Sequence, residues 1–284
     1  MRGSEFRGGF HDLAIRRGGV EVFPRLIAAE YHRSFVGRPL PSGLPELDAL
    51  LGGGPLYGTC TLISGPPGSG KTTLALNYVA TSCARGERCA VYEFDERVGT
   101  LLARSARQGV DLQPYIDSGL LLLRQIDPAE VSPGEFTAMI KHEVDVQGVR
   151  LVVIDTLNGY EAAMPQEKQL VLQMHEVLSF LNQQGAATLL VNAQHGLIGS
   201  LDATLNVSYL ADAVLFLRFF EAGGQIRKAL TVLKNRGGRH ENAIREMRID
   251  EHGIQLGDAL TDFHGVLTGT PSYAGEGGPL LKDR

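Results

Sequence analysis

The segment from Gly65 to Thr73 has the composition and spacing of a phosphate-binding loop. Its sequence, GPPGSGKTT, follows an apolar run and precedes a helix-forming stretch. Glycines let such a loop curl so that successive backbone N–H groups point inward, and the helix N-terminus adds partial positive charge. We predict that Lys71 reaches the β- and γ-phosphates of a nucleotide and that Thr72 coordinates Mg²⁺. The predicted nucleotide-binding residues are Gly65, Pro66, Pro67, Gly68, Ser69, Gly70, Lys71, Thr72 and Thr73.

Acidic residues follow two further apolar runs and are candidates for metal binding and catalysis. Leu151–Asp155 ends in a carboxylate, at the sheet edge where phosphate-loop proteins hold Mg²⁺, but the next residue is Thr156 rather than a catalytic glutamate. Cys89–Phe94 is followed by Asp95 and Glu96, so we predict Glu96 as the base that polarises the attacking water, with Asp95 beside it. The alternative is an acidic pair that only begins a helix. The predicted metal ligands are Thr72, Asp155 and Glu96.

Two other groups of polar residues stand at predicted strand ends. Gln194 and His195 follow the apolar run Thr188–Val191, and they either sense the γ-phosphate or simply begin a loop. Lys234 and Arg236 occupy alternating positions, so their side chains share one face of a strand end. In the predicted order of elements this strand end is far from the chain's own phosphate loop. The two cations are therefore either solvated surface charges or fingers that act on a neighbouring subunit's nucleotide.

The pattern of apolar residues predicts an α/β fold. Short β-rich runs alternate with longer helical patterns, which indicates βαβ units on a mostly parallel twisted sheet flanked by helices. The predicted strands are Thr59–Ser64, Cys89–Phe94, Leu120–Arg124, Leu151–Asp155, Ala187–Asn192 and Ala213–Phe219. The predicted helices are Thr72–Ala84, Arg97–Gln108, Pro133–Val146 and Gln166–Gln184. A hairpin at Gly223-Gly224, a strand Arg245–Ile249 and a turn at Gly253 predict an antiparallel edge.

Composition narrows the possible functions. The chain has 284 residues, of which 43% are hydrophobic, enough for one large domain with appendages. Its net charge of −5 disfavours generic nucleic-acid binding. Three cysteines without a CxxC pair predict buried thiols in a reducing cytosol. No apolar stretch approaches the roughly 20 residues that span a bilayer and no signal peptide is evident, so we expect a cytoplasmic protein.

A short pattern near the start of the chain is repeated near its end. Arg16–Val22 and Asp250–Leu256 both place a glycine before an apolar, a polar and an apolar residue. The repeat suggests that the chain begins with the closing strands of a preceding, similar domain, although a turn pattern this short also recurs by chance. We interpret residues 1–6 as a vector-derived leader.

Together these segments resemble an ATPase domain of the KaiC family, within the RecA superfamily. The likeness runs from about Pro41 to Pro271 and is greatest to the second of two fused domains in the circadian-clock members of the family. Besides the phosphate loop, the motifs that carry it are Ser42–Asp48, Gly52–Gly54, Phe94–Glu96, Ile154–Thr156, Ala211–Asp212, Lys234–His240, Ala243–Glu246 and Phe263–Pro271. The resemblance implies a RecA-like P-loop NTPase domain at 39–262, a junction from a preceding domain at 7–38 and a C-terminal extension at 263–284.

The resemblance further implies a ring, usually a hexamer, with ATP and Mg²⁺ between subunits. In such a ring Lys234, Arg236 and His240 act on the neighbouring subunit's nucleotide. Clock members also phosphorylate an adjacent Ser and Thr. The Ser falls on Ser208, but Tyr209 replaces the Thr, so the phosphosite is incomplete. The expected function is slow ATP hydrolysis in a regulatory ring that signals to an unknown protein partner, with serine autokinase activity at Ser208 left open.

Two alternative functions share the same core. A recombinase-like DNA motor needs a basic, Gly-rich loop, whereas Gly196–Asn206 has no Lys or Arg and contains Asp202. Nucleic acid is therefore not the expected partner. A nucleotide-gated scaffold would bind ATP, hydrolyse little of it and signal by its conformation. Binding of single-stranded DNA distinguishes the motor, and substitution of Glu96 distinguishes the scaffold.

Overall fold

Strands and helices alternate along most of the chain in a computed structural model, which describes residues 8–162, 167–193, 210–267 and 272–273. The strands are β1 (Asp12–Arg16), β2 (Gly19–Phe23), β3 (Cys60–Gly65), β4 (Cys89–Glu93), β5 (Leu121–Gln125), β6 (Leu151–Asp155), β7 (Ala187–Ala193), β8 (Ala213–Ala222), β9 (Gln225–Asn235), β10 (Ile244–Asp250), β11 (Gly253–Ala259), β12 (Phe263–His264) and β13 (Ser272–Tyr273). The helices are α1 (Pro45–Leu50), α2 (Lys71–Ala84), α3 (Val98–Arg107), α4 (Gln113–Asp117), α5 (Pro133–Asp145), α6 (Leu157–Ala162) and α7 (Glu167–Gln183).

The main sheet has the strand order β11-β10-β9-β8-β3-β7-β6-β4-β5. Every pairing from β8 to β5 is parallel, and β9, β10 and β11 continue the sheet in antiparallel fashion beyond β8. All residues of β3, β4 and β6 are buried, which explains why these strands are nearly continuous apolar runs in the sequence. The predicted fold class, a RecA-like and mostly parallel sheet with an antiparallel edge, is confirmed.

The core has two layers, one on each face of this sheet. On one face α2 and α3 contribute buried side chains such as Leu74, Val79 and Leu101. On the other face α5 and α7 contribute Phe136 and Phe180 among others. Both layers pack against the parallel strands, so the carboxyl ends of those strands are held at a fixed edge.

Most predicted elements agree with the structure to within a few residues, and β6 has the predicted bounds. One turn differs, because Glu251 and His252 form it while Gly253, with φ of 104°, begins β11. The short helices α1, α4 and α6 were not predicted, since five or six residues carry too little periodicity. The predicted start of a helix at Gln166 lies outside the described residues. The three cysteines are buried and unpaired, and no described helix is long and apolar enough to cross a membrane.

The repeated sequence pattern corresponds to two hairpins with the same register. In β1–β2, Arg16 pairs with Gly19 across a two-residue turn, and in β10–β11, Asp250 pairs with Gly253 in the same way. Their aliphatic faces differ in environment. The aliphatic residues of β10–β11 are buried or half-buried against the core, whereas those of β1–β2 are largely exposed, and these are Leu13, Ile15, Val20 and Val22.

The exposure of the aliphatic face of β1–β2 leads to a stability prediction. We expect that replacing Ile15 and Val20 with threonine leaves the melting temperature within about 2 °C of the parent, because no buried surface is lost and threonine suits a strand. Binding of a hydrophobic dye should decrease. The matched control is Phe23→Ala in the same hairpin, which removes a buried ring and should cost about 3 kcal/mol in thermal or urea unfolding. A large loss of stability in the threonine variant would contradict the exposed arrangement.

Candidate nucleotide site

The loop between β3 and α2 contains glycines at which a side chain is disfavoured by the backbone conformation or by close neighbours. Gly68 and Gly70 have φ of 78° and 105°, in the left-handed region that favours glycine. A Cβ atom on Gly70 would collide with Ile249 of β10, and one on Gly65 would lie 2.5 Å from the carbonyl oxygen of Leu217. The loop therefore lies close against β8 and β10.

Lys71 begins α2 and is buried in the loop, only 6% exposed. Its Nζ donates a hydrogen bond to the carbonyl oxygen of Pro66 at 2.9 Å. Burial lowers the pKa of Lys71 to about 8, and the charges of Asp155 and Asp95 act in the opposite direction. The structure thus brings the predicted phosphate-binding lysine next to two of the predicted acidic residues.

Asp155 ends β6 and is nearly fully buried beside the loop. Burial raises its pKa to about 6, against the opposing effects of the Thr72 hydroxyl and of Lys71. Its Oδ1 atom is buried and has no hydrogen-bond partner among the described residues. A buried carboxylate oxygen without a partner, next to a threonine hydroxyl, fits the oxygen ligands that Mg²⁺ prefers. Among the described residues there is no cluster of three or more His, Cys, Asp or Glu side chains that could hold a metal.

The acidic turn after β4 has a different partner for each carboxylate. The Thr156 hydroxyl donates to Asp95 Oδ2 at 2.6 Å. Glu96 is paired with Arg104 of α3, whose Nη2 donates to Oε2 at 2.7 Å and whose Nε donates to Oε1 at 3.3 Å. The predicted base is therefore held from the side of α3. The local sequence does not predict this pairing, because it depends on the direction in which α3 leaves the turn.

Glu93 is a third carboxylate at this turn, and it was not predicted. It is the last residue of β4, is 2% exposed and lies directly opposite Asp155 on β6. Burial and then the charge of Asp155 raise its pKa to about 8. An acidic residue inside an otherwise apolar parallel strand was the signal that could have identified it.

The predicted trans-acting cations lie away from their own phosphate loop. Asn235, at the end of β9, pairs with Ala213, which in turn pairs with Thr61 near the start of β3. The loop follows the other end of β3, at least about 13 Å away along the strand. Lys234 donates from Nζ to the carbonyl oxygen of Ala211 at 2.6 Å, while Arg236 is exposed and His240 is half-buried. Gln194, His195, Ser208 and Tyr209 lie outside the described residues.

The fold and the enclosed loop define the class of protein, a RecA-like nucleoside triphosphatase domain. Residues 40–260 match the family model described as "ATPase: KaiC", so the chain belongs to the KaiC family of ATPases. It is 29% identical over 273 residues to the circadian clock protein KaiC3 of Synechocystis sp., with 95% of this chain and 53% of the relative covered. It is also 28% identical over 275 residues to the circadian clock oscillator protein KaiC of Thermosynechococcus vestitus, with 96% of this chain and 52% of the relative covered. The chain spans about half the length of the curated relatives it matches.

The buried Glu93 leads to a prediction about pH and stability. Between the ordinary glutamate pKa of 4.5 and the folded-state value of about 8, the folded protein binds more protons than the unfolded chain, so its free energy of unfolding falls as pH rises. Glu93→Gln removes this contribution. We expect the melting temperature of Glu93→Gln, measured without metal or nucleotide, to rise relative to that of the parent as the pH is raised from about 6 to about 9.

The control for this pH series is Glu46→Gln, which changes an exposed glutamate on α1. The plot of its melting temperature against pH should run parallel to that of the parent over the same range. If Glu93→Gln also runs parallel, Glu93 does not titrate in this window and the electrostatic account of the site is wrong.

Proposed function

We propose that this domain binds ATP with Mg²⁺, hydrolyses it slowly and works in a homo-oligomeric ring, of six subunits by the resemblance, with ATP between subunits. The observation that carries the proposal is the buried, unpartnered Oδ1 of Asp155 beside Thr72 and Lys71. A carboxylate, a hydroxyl, a lysine and the backbone amides of a glycine-rich loop would supply what a metal-bound triphosphate requires.

The proposed roles follow from the positions of the side chains. The loop amides cradle the phosphates, and Lys71 leaves the Pro66 carbonyl to contact the β- and γ-phosphates. Thr72 and Asp155 would hold Mg²⁺, and Glu96 is the third proposed ligand, since it follows the end of β4, where Glu93 lies beside Asp155 of β6. Bound Mg²⁺ would neutralise charge on the β- and γ-phosphate oxygens.

Glu96 is the proposed general base. It accepts a proton from the attacking water while the water oxygen forms a bond to the γ-phosphorus and the bond to the bridging oxygen breaks, so that ADP leaves. Arg104 holds the Glu96 carboxylate in one direction, and Thr156 does the same for Asp95. Both acids are thus oriented before the nucleotide binds.

The position of the cations at the far edge of the sheet supports the proposal of a shared site. Lys234 and Arg236 flank Asn235, which is level with the start of β3 rather than with the loop at its other end, so a role in hydrolysis needs a second subunit. We propose that Arg236, which is exposed, contacts the γ-phosphate held by the neighbour, with Lys234 and His240 beside it. A regulatory role like that of the clock proteins and a cytoplasmic location belong to the same proposal, while autokinase activity at Ser208, where Tyr209 replaces the second phosphosite residue, is left open.

The first test is the substitution Glu96→Gln. We expect at least about a hundredfold lower kcat for ATP hydrolysis, because the amide cannot accept the proton, with the Kd for ATP within about threefold of the parent. Phosphate release and binding of a fluorescent ATP analogue measure the two quantities. Glu46→Gln is the matched control and should behave as the parent. Equal hydrolysis rates in Glu96→Gln and the parent would exclude Glu96 as the general base and favour the nucleotide-gated scaffold.

The second test mixes two inactive variants. Glu96→Gln lacks the base and Arg236→Ala lacks the finger, but an interface between them can combine an intact base with an intact finger. We expect each variant to be inactive alone and an equimolar mixture to recover about a quarter of the parent rate, as random assembly into rings predicts. Light scattering with Mg-ATP measures the assembly state. A chain that hydrolyses ATP as a monomer, or a mixture that recovers nothing, would contradict the shared site.

A further inference from the structure

The turn that carries Asp95 and Glu96 is held by the carboxylate of Glu93, a residue to which the proposed function assigns no role. Glu93 ends β4 and is buried, although the other residues of that strand are apolar or aromatic. Burial of an acidic side chain is costly unless its oxygens find donors. The donors that Glu93 finds are informative, because they belong to the residues proposed to act on the nucleotide.

Glu93 Oε1 accepts two backbone hydrogen bonds. The amide of Asp95 donates at 3.0 Å, and the amide of Glu96 also donates at 3.0 Å. These are the points at which the chain leaves the sheet and turns toward α3. One carboxylate oxygen therefore fixes the direction of the backbone at both acidic residues.

The sheet holds the other side of this turn. The amide of Phe94 donates to the carbonyl oxygen of Asp155 at 2.7 Å, and the amide of Ile126 donates to the carbonyl oxygen of Glu93 at 2.8 Å. The backbone is thus tied to β6 and β5 up to Phe94. Beyond it, the Glu93 side chain is the one partner that the amides of Asp95 and Glu96 have among the described residues. The side chains of these two residues are anchored separately, by Thr156 and Arg104.

We infer that Glu93 is a positioning residue for ATP hydrolysis, because its carboxyl oxygen fixes the backbone from which Asp95 and Glu96 project. This inference rests on the proposed role of Glu96 as base. A displacement of about 1 Å in a reacting group costs on the order of a hundredfold in rate. Loss of the Glu93 anchor, which would leave only the side-chain bonds to Thr156 and Arg104 among the described contacts, is therefore expected to slow hydrolysis. Glu93 contacts neither substrate nor metal in this role.

The test compares Glu93→Gln with Glu93→Ala. Glutamine keeps an acceptor oxygen of the same reach, whereas alanine leaves both amides without a partner. We expect Glu93→Ala to lower kcat about ten- to a hundredfold, with KM for ATP within about twofold, and Glu93→Gln to stay within about threefold of the parent. Val144→Ala in α5, a buried truncation away from the turn, controls for lost stability and should leave kcat unchanged.

Hydrogen exchange of the Asp95 and Glu96 amides provides a readout that does not depend on activity. Exchange should be faster in Glu93→Ala than in the parent and unchanged in Glu93→Gln. Unchanged exchange or an unchanged kcat in Glu93→Ala overturns the inference, as does a glutamine variant that is as slow as the alanine one. If Glu96→Gln, assayed in parallel, hydrolyses ATP at the parent rate, the base assignment fails, and the exchange result still decides whether Glu93 holds the turn.

Discussion

The burial of charge at one edge of the sheet is the constraint on which the rest of the site depends. Lys71, Asp155 and Glu93 are each at most 6% exposed, and each is displaced from its ordinary pKa in the direction that disfavours its charged form. Attraction between Lys71 and Asp155 offsets part of the desolvation cost of these two groups, whereas the charge of Asp155 adds to the cost of ionising Glu93. Under the proposed function, a metal ion and a polyphosphate would supply the charges that this arrangement lacks.

The sheet topology explains why one chain holds only part of the proposed active site. The parallel strands β3, β4 and β6 all end at the edge that carries the phosphate loop and the acidic residues. Strand β9 runs antiparallel to β8, so its final residues return to the opposite edge. A cation at the end of β9 is thus directed away from its own nucleotide by the topology itself. No change of rotamer can overcome a separation of that size.

The sequence predicted the parts of the structure that local pattern determines. Buried parallel strands are continuous apolar runs, so β6 and its terminal Asp155 were found with their bounds, and the phosphate loop is defined by its glycine spacing. The partners of Glu96 and Asp95 could not be found this way. Arg104 reaches Glu96 because of the angle at which α3 leaves the turn, and Thr156 reaches Asp95 because β4 and β6 are neighbours, although the chain between them is long. Strand order and helix direction are tertiary properties that a local pattern does not contain.

The two hairpins β1–β2 and β10–β11, which share one register, also show that a local sequence pattern does not determine tertiary packing. In β10–β11 the aliphatic face packs toward the core, and Ile249 lies against Gly70, so this hairpin helps to enclose the candidate nucleotide site. In β1–β2 it is the polar face that makes the contact. Asp12 accepts a hydrogen bond from the amide of Gly134 at the start of α5, and Arg16 pairs with Glu135. An acidic side chain at a helix N-terminus satisfies an amide that the helix leaves free and interacts favourably with its dipole. Identical pairing can therefore present either face of a hairpin, and the surface on which the hairpin docks decides which face is buried.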